Sequence, residues 1–183
     1  LFNDLPLCKH LHLPVQSGDP DVLQSMHRFY DINKLRKMMD LIQTRFPQFA
    51  FGADFITGFP TEDRQSFEKT FEFIRTAPFS YLHIFPYSPR PGTRAFPLGD
   101  PVKPEEKHSR VKLLRALGRE KSYDFRKRFI NQKFMITVER RNGKTSGLTE
   151  NYIRMIIPAK PYENLIEAQI VKVEFDYTLG KIV

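Results

Sequence analysis

The sequence predicts an α/β protein: three strand–loop–helix units of a parallel sheet, then a small closed or partly closed all-β barrel. Three observations carry this. Short apolar strand patterns alternate with helical periodicity over the first hundred residues, which implies right-handed crossovers in a parallel sheet. After Asn131 the periodicity changes to two, with turn residues between short runs. Between them, residues 102–129 hold ten Lys or Arg against Glu105, Glu106, Glu120 and Asp124. With Val111, Leu114 and Leu117 as an apolar face, joined by Tyr123 and Phe125, that stretch reads as a long amphipathic helix. The change near residue 125 marks a domain boundary, giving 1–124 and 125–183.

Each element follows in order. Residues 10–15 (His-Leu-His-Leu-Pro-Val) form a short buried strand, with Gln16-Ser17-Gly18 as its loop. Asp19 caps a helix that has Pro20 at its first position, and Val22, Leu23, Met26 and Tyr30 mark its buried face. Asp31 caps a second helix whose Leu35, Met38, Met39, Ile42 and Phe46 recur at helical spacing before Pro47 stops it. Residues 49–56 are the second strand, 57–62 its loop and 63–77 its helix, with Phe67, Phe71 and Ile74 on one face. The third strand, 81–85, runs into Pro86-Tyr87-Ser88-Pro89-Arg90-Pro91-Gly92-Thr93, a loop stiffened by three prolines. Beyond the charged helix, strands are expected at 133–140, 153–157, 165–175 and 181–183. Turns are expected at Asn142-Gly143 and Thr178-Leu179-Gly180.

Three units do not close a (β/α) barrel, and a bare parallel edge is unfavourable. The chain also opens at Leu1 without an initiator Met. Both points lead to the expectation that it is the C-terminal portion of a larger protein. No apolar run is long enough to span a membrane. No secretory leader opens the chain, and one cysteine, Cys8, excludes an internal disulfide framework, as expected of a cytoplasmic protein. The net charge of +8 points to a polyanionic partner, nucleic acid being the usual one. Six of those charges lie in the basic stretch, which taken alone reads first as a solvated helix face joining two domains.

The three strand-end loops present Gln16 and Ser17, then Gly58 and Glu62, then Tyr87, Ser88 and Arg90. In parallel sheets such an edge is where ligands bind. Arg90 suits a carboxylate or phosphate, and Arg28 on the first helix is placed to reach the same edge. Asp54 is the only acid inside a strand of the parallel sheet. It either orients a ligand hydroxyl or is paired within the sheet. His10, His12 and His83 lack a matching set of Cys or Asp ligands by spacing, so no metal site built by this chain is expected. Cys8 reads as a packing residue.

The segment from His10 to Gly18, with Met26 and Arg28, resembles the fourth-strand motif of radical S-adenosylmethionine methylthiotransferases. Ala53-Asp54-Phe55-Ile56-Thr57-Gly58-Phe59-Pro60-Thr61-Glu62 resembles the fifth, and the segment from Phe85 to Thr93 the sixth. Gly147-Leu148-Thr149-Glu150-Asn151-Tyr152 resembles part of the RNA-binding TRAM barrel of that family. Thr61 stands where many members have glycine. The resemblance implies a partial radical barrel plus a TRAM domain, S-adenosylmethionine as cofactor and tRNA as partner. It also implies two 4Fe–4S clusters in the parent protein, whose cysteine ligands this sequence lacks, so the chain alone is expected to be inactive. By motif position it implies cofactor contacts from Gln16, Ser17, Arg28, Gly58, Phe59, Pro60 and Tyr87. Substrate contacts are implied for Arg90, Arg126, Lys127, Arg128, Asn151 and Tyr152. The subgroup most resembled modifies threonylcarbamoyladenosine beside the anticodon. Alternatives are the isopentenyladenosine branch, a branch acting on a ribosomal protein, and a non-catalytic RNA-binding protein.

Overall fold

The structure, a computed structural model, describes residues 8–141 and 143–183. The chain divides into two compact units. Of the described residues, one unit comprises His12–Pro47 and Phe51–Gly118; the other takes 8–11, Gln48–Ala50 and those from Arg119 onward.

The first unit is built on β1 (His10–Gln16), β2 (Ala50–Thr57) and β3 (Tyr81–Pro86), in the order β1-β2-β3. β2 and β3 run parallel, with Asp54 opposite His83 and Gly52 opposite Tyr81. The crossovers are α1 (Pro20–Ser25) and α2 (Ile32–Arg45), then α3 (Arg64–Thr76). Aspartate caps the three crossover helices: the carboxylates of Asp19 and Asp31 accept first-turn N–H groups as predicted, and so does that of Asp63, which the sequence places inside its helix. Phe67 and Ile74 of α3 are buried. In α2 the predicted stripe holds except at one position: Met39 is fully buried and Leu35, Ile42 and Phe46 partly so, with Ile32 added to them, whereas Met38 is exposed.

α1 is shorter than the pattern predicts, ending at Ser25. His27 adopts a left-handed φ of 55°, its N–H donates to the Gln24 carbonyl at 2.9 Å, and that of Arg28 to Leu23 at 2.8 Å. This is a Schellman stop, and it lifts Arg28 off the helix on which the sequence placed it.

α4 (Pro104–Lys127) realises the predicted charged helix, contributing residues through Gly118 to this unit and from Arg119 to the other. Val111 and Leu114 are buried as expected, but so are Lys107 and Arg110, which the sequence reads as solvated.

The second unit is a closed five-strand barrel, β4-β5-β6-β8-β7, built from β4 (Lys133–Arg141), β5 (Lys144–Thr149), β6 (Arg154–Ile156), β7 (Leu165–Val173) and β8 (Thr178–Ile182). Ile136, Val138, Ile153, Met155, Ile157, Ile166 and Ile170 fill it, with Phe125 and Phe129 against them. Inward residues alternate along β7 until a register shift between Ile170 and Lys172, after which Val173 faces the core. The turn expected at 178–180 is instead the start of β8: Gly180 pairs with Ile170, and the chain turns at 174–177, where the Glu174 N–H donates to the Tyr177 carbonyl at 2.8 Å. Gly180 serves close packing, since a Cβ there would lie 2.4 Å from the Met155 sulfur. Of the other expected turn, Asn142 lies outside the described residues, and Gly143 has a φ of 73°. Among the described residues, no helix is long and apolar enough to cross a membrane.

Candidate ligand-binding site

A cavity of about 830 Å³ opens at the C-terminal ends of the parallel β2 and β3, beside Gln16 at the end of β1. Its first wall comes from an abrupt turn. Gln16, the last residue of β1, has φ 72°, and the Ser17 N–H donates to the Val15 carbonyl at 2.9 Å, closing a γ-turn. A left-handed glutamine is strained, and such strain persists where surrounding structure enforces it. Here the Tyr30 hydroxyl donates to the same Val15 carbonyl. Burial pushes the Tyr30 hydroxyl up to about 12, so it stays a donor at neutral pH. Arg28 reaches back to the Pro14 carbonyl at 3.2 Å, and both Gln16 and Arg28 line the cavity.

The second wall is the 57–62 loop. Gly58 has φ 76°, and a Cβ on it would lie 2.2 Å from the Lys107 stem, so only glycine fits. Glu62 is buried, and it closes the loop rather than facing a ligand. Its Oε1 accepts from the Gly58 N–H at 2.8 Å, the Thr57 hydroxyl at 3.0 Å and Arg110 at 2.6 Å. Arg110 also donates to the Glu62 carbonyl at 2.9 Å and to Glu106, while Lys107 pairs with Asp100 at 2.6 Å. So braced, the loop holds Phe59 edge-on to Tyr87, with centroids 5.2 Å apart, over Val22.

The third wall is the proline-stiffened loop. The Tyr87 N–H donates to the Thr57 carbonyl at 2.8 Å and its hydroxyl to Ala95 at 3.2 Å. The Thr93 hydroxyl donates to the Arg90 carbonyl at 2.8 Å, and Gly92 carries the φ of 81° this turn needs. Tyr87, Ser88, Arg90 and Arg94 all line the cavity. Arg28, Arg90 and Arg94 therefore face one space whose only acidic lining residue, among the described residues, is Asp54. A space of that charge, with an aromatic floor, suits an anionic ligand carrying a flat ring. Arg94 was missed in the sequence, although it lies two residues beyond Gly92 in a loop already singled out.

Of the residues implied for the cofactor, Gln16, Arg28, Phe59 and Tyr87 line the cavity, and so does Arg90. Ser17, Gly58 and Pro60 do not. The buried Ser17 hydroxyl lies 3.1 Å from that of Thr70 and accepts from the Asp19 N–H at 3.1 Å, so it braces the base of the turn.

In the barrel unit, Arg126 is engaged within the fold, donating to the Ser122, Glu174 and Phe175 carbonyls and to the Thr178 hydroxyl. Burial pulls its guanidinium below the usual value, and that of Arg128 likewise. Arg128 lies over the Phe125 and Phe129 rings at 5.4 and 5.6 Å, and Lys127 over Tyr123 at 4.5 Å. The Asn151 side chain is buried: its Oδ1 accepts from the Thr149 hydroxyl at 2.6 Å and its Nδ2 donates to the Gln48 carbonyl at 3.3 Å. Tyr152, half exposed with φ 63°, stacks on His10 at 4.2 Å.

A further cluster stands on the sheet. His12, Asp54 and His83 come from β1, β2 and β3, and Asp54 Oδ1 lies 2.8 Å from His12 Nε2 and 3.2 Å from His83 Nδ1. Asp54 is thus paired within the sheet while also lining the cavity.

No family model matches the chain. It is 37% identical over 150 residues to a threonylcarbamoyladenosine tRNA methylthiotransferase of Thermotoga maritima, covering 81% of this chain and 35% of that protein. The protein of that name in Bacillus subtilis is 31% identical over 185 residues, 97% of this chain and 41% of its own length. A tRNA-2-methylthio-N(6)-dimethylallyladenosine synthase of Protochlamydia amoebophila is 34% identical over 148 residues, 81% of this chain and 33% of its own. The chain thus spans about two-fifths or less of the length of each of these relatives. On this similarity, it belongs to the tRNA methylthiotransferase family.

Proposed function

We propose that this chain is the C-terminal part of a tRNA methylthiotransferase acting on threonylcarbamoyladenosine next to the anticodon. In this reading the strand-end cavity holds S-adenosylmethionine and the modified base, and the barrel is a TRAM domain that grips the tRNA in the cytoplasm. One observation carries the reading: Arg28 and Arg90, on segments that resemble the family's motifs, line with the neighbouring Arg94 a cavity floored by Phe59 and Tyr87. The residues present fit a nucleoside bearing a carboxylate, with aromatic edges for the base and guanidinium groups for the anion. They do not fit an iron–sulfur cluster. Such clusters take several thiolates, and Cys8 is the chain's one cysteine. Ligands for both clusters then belong to sequence outside this chain.

The cavity's charge also favours one substrate branch. A threonylcarbamoyl group ends in a carboxylate, whereas a dimethylallyl group is hydrocarbon and gains nothing from guanidinium groups. The test is complementation. The gene encoding this chain and whatever precedes it is expressed in cells lacking their own methylthiotransferases, and tRNA nucleosides are resolved by mass spectrometry. The expected product is 2-methylthio-N6-threonylcarbamoyladenosine. Methylthiolation of the dimethylallyl nucleoside instead would transfer the protein to the other branch, and absence of any methylthio nucleoside would overturn the proposal.

A further inference from the structure

The His12–Asp54–His83 row is assigned no role in the function proposed above, although its Asp54 borders the same cavity. Neighbouring strands put the three side chains on one face of the sheet, and their candidate ligand atoms all lie within 4.8 Å of one another. A tetrahedral zinc site with bonds of roughly 2.1 Å has ligand atoms about 3.4 Å apart, and the contacts of Asp54 with His12 and His83, 2.8 and 3.2 Å, need open by only a few tenths of an ångström to reach it. The sequence conceals the set because the acid comes from another strand, 42 residues from His12.

The surroundings match those of a metal-ligating histidine. Such residues fix their second ring nitrogen with an outer partner. The His12 Nδ1 lies 3.0 Å from the Tyr81 hydroxyl. Tyr81 reaches across β2 only because position 52 is glycine: a Cβ there would lie 2.1 Å from the tyrosine ring. A glycine, a tyrosine and a histidine on three strands thus combine to orient one imidazole.

We infer that His12, Asp54 and His83 form a binding site for a borderline divalent cation of the zinc class, with Tyr81 as the outer partner that orients His12. Two neutral imidazoles and one carboxylate make a three-ligand site with further positions left to water or a cavity ligand, since Asp54 also lines the cavity. The inference does not depend on the methylthiotransferase reading.

The test uses this chain after chelator treatment, titrated with Co2+ and followed by the visible bands of low-coordinate cobalt. One ion per chain is expected, displaced stoichiometrically by Zn2+, with a dissociation constant at or below about 10 μM. Cys8→Ser retains the bands, which excludes the chain's one thiol as a ligand. His83→Ala and Asp54→Asn each abolish them, and Tyr81→Phe keeps them but weakens binding roughly 10-fold. Circular dichroism of each variant verifies folding. The His83 side chain is 53% exposed and Asp54→Asn is isosteric, so at least one of the two reports on a folded chain. Absence of saturable binding, or bands that survive in a folded His83→Ala or Asp54→Asn protein, would overturn the inference and leave a hydrogen-bonded triad.

Discussion

Replacing Arg110 by methionine should destabilise the first unit far more than a change on a basic helix normally does. The side chains of Arg110 and Glu62 are 6% and 0% exposed, so the pair has little water to fall back on. Arg110 donates twice to Glu62, at 2.6 Å to the carboxylate and 2.9 Å to the carbonyl. Hydrogen bonds to charged groups contribute about 1.5–3 kcal/mol each, and removing one partner of a buried pair costs about 3–5 kcal/mol because the other charge is stranded. Methionine retains most of the packing over Phe67, so the loss is chiefly electrostatic. We expect about 3–5 kcal/mol in urea denaturation, together with roughly 100-fold faster hydrogen exchange at the Gly58 amide, which Glu62 holds. Adding Glu62→Gln removes the stranded charge, so the double variant should be less damaged than the sum of the two by about 2 kcal/mol. A loss below about 1 kcal/mol for Arg110→Met, or strict additivity, would refute the argument that the pair is a buried unit.

Three further outcomes follow from the same contacts. Gly52→Ala drives a methyl into the Tyr81 ring and should cost about 1–3 kcal/mol in thermal melting; Gly52→Ala with Tyr81→Ala should recover most of it. At Asp19, burial pushes the carboxyl up, but Lys69 at 2.8 Å and the Val22 and Asp21 N–H groups outweigh it and hold the group below its ordinary 3.8. Its stabilisation is therefore present above that value and lost as pH falls through the lower, folded one, so Asp19→Asn should melt with a shallower acid dependence than the parent. Arg126→Ala should cost about 2 kcal/mol by unpairing the 174–178 segment, whereas Lys127→Ala, whose side chain is 45% exposed and paired with Asp124, should change melting by less than about 0.5 kcal/mol. If tRNA binds this surface, only the second variant reads the RNA contact cleanly.

Much of the fold was legible because it rests on local rules. Asp19-Pro20 and Asp31 announce helices through their carboxylates, and the alternation of Phe134, Ile136 and Val138 announces a barrel strand. What escaped depends on partners distant in sequence. β5 was missed because its inward residues are Thr145, Gly147 and Thr149, which carry little apolar signal. Gly180 was read as a turn because its true constraint, the Met155 sulfur, is invisible locally. The burial of Arg110 follows from Glu62, 48 residues earlier, and no helical periodicity contains that information. Within the site the lining loops were readable from their glycines and prolines. Which of their polar groups brace the backbone and which face the cavity was decided by Thr70, Lys107 and Arg110.

The glycines of the barrel have a consequence for how this sequence can vary. A Cβ at Gly147 would meet Ile136 at 2.2 Å, and one at Gly180 would meet Met155 at 2.4 Å and Ile157 at 2.8 Å. Five strands enclose so little room that each vacancy in one strand is filled by a large neighbour on another. Drift at these positions must be correlated: an alanine at 147 is tolerable only alongside a smaller residue at 136, and one at 180 only alongside a trimmed 155. Among barrels that diverge from this one, the volumes at 136 and 147, and at 155 and 180, should vary inversely.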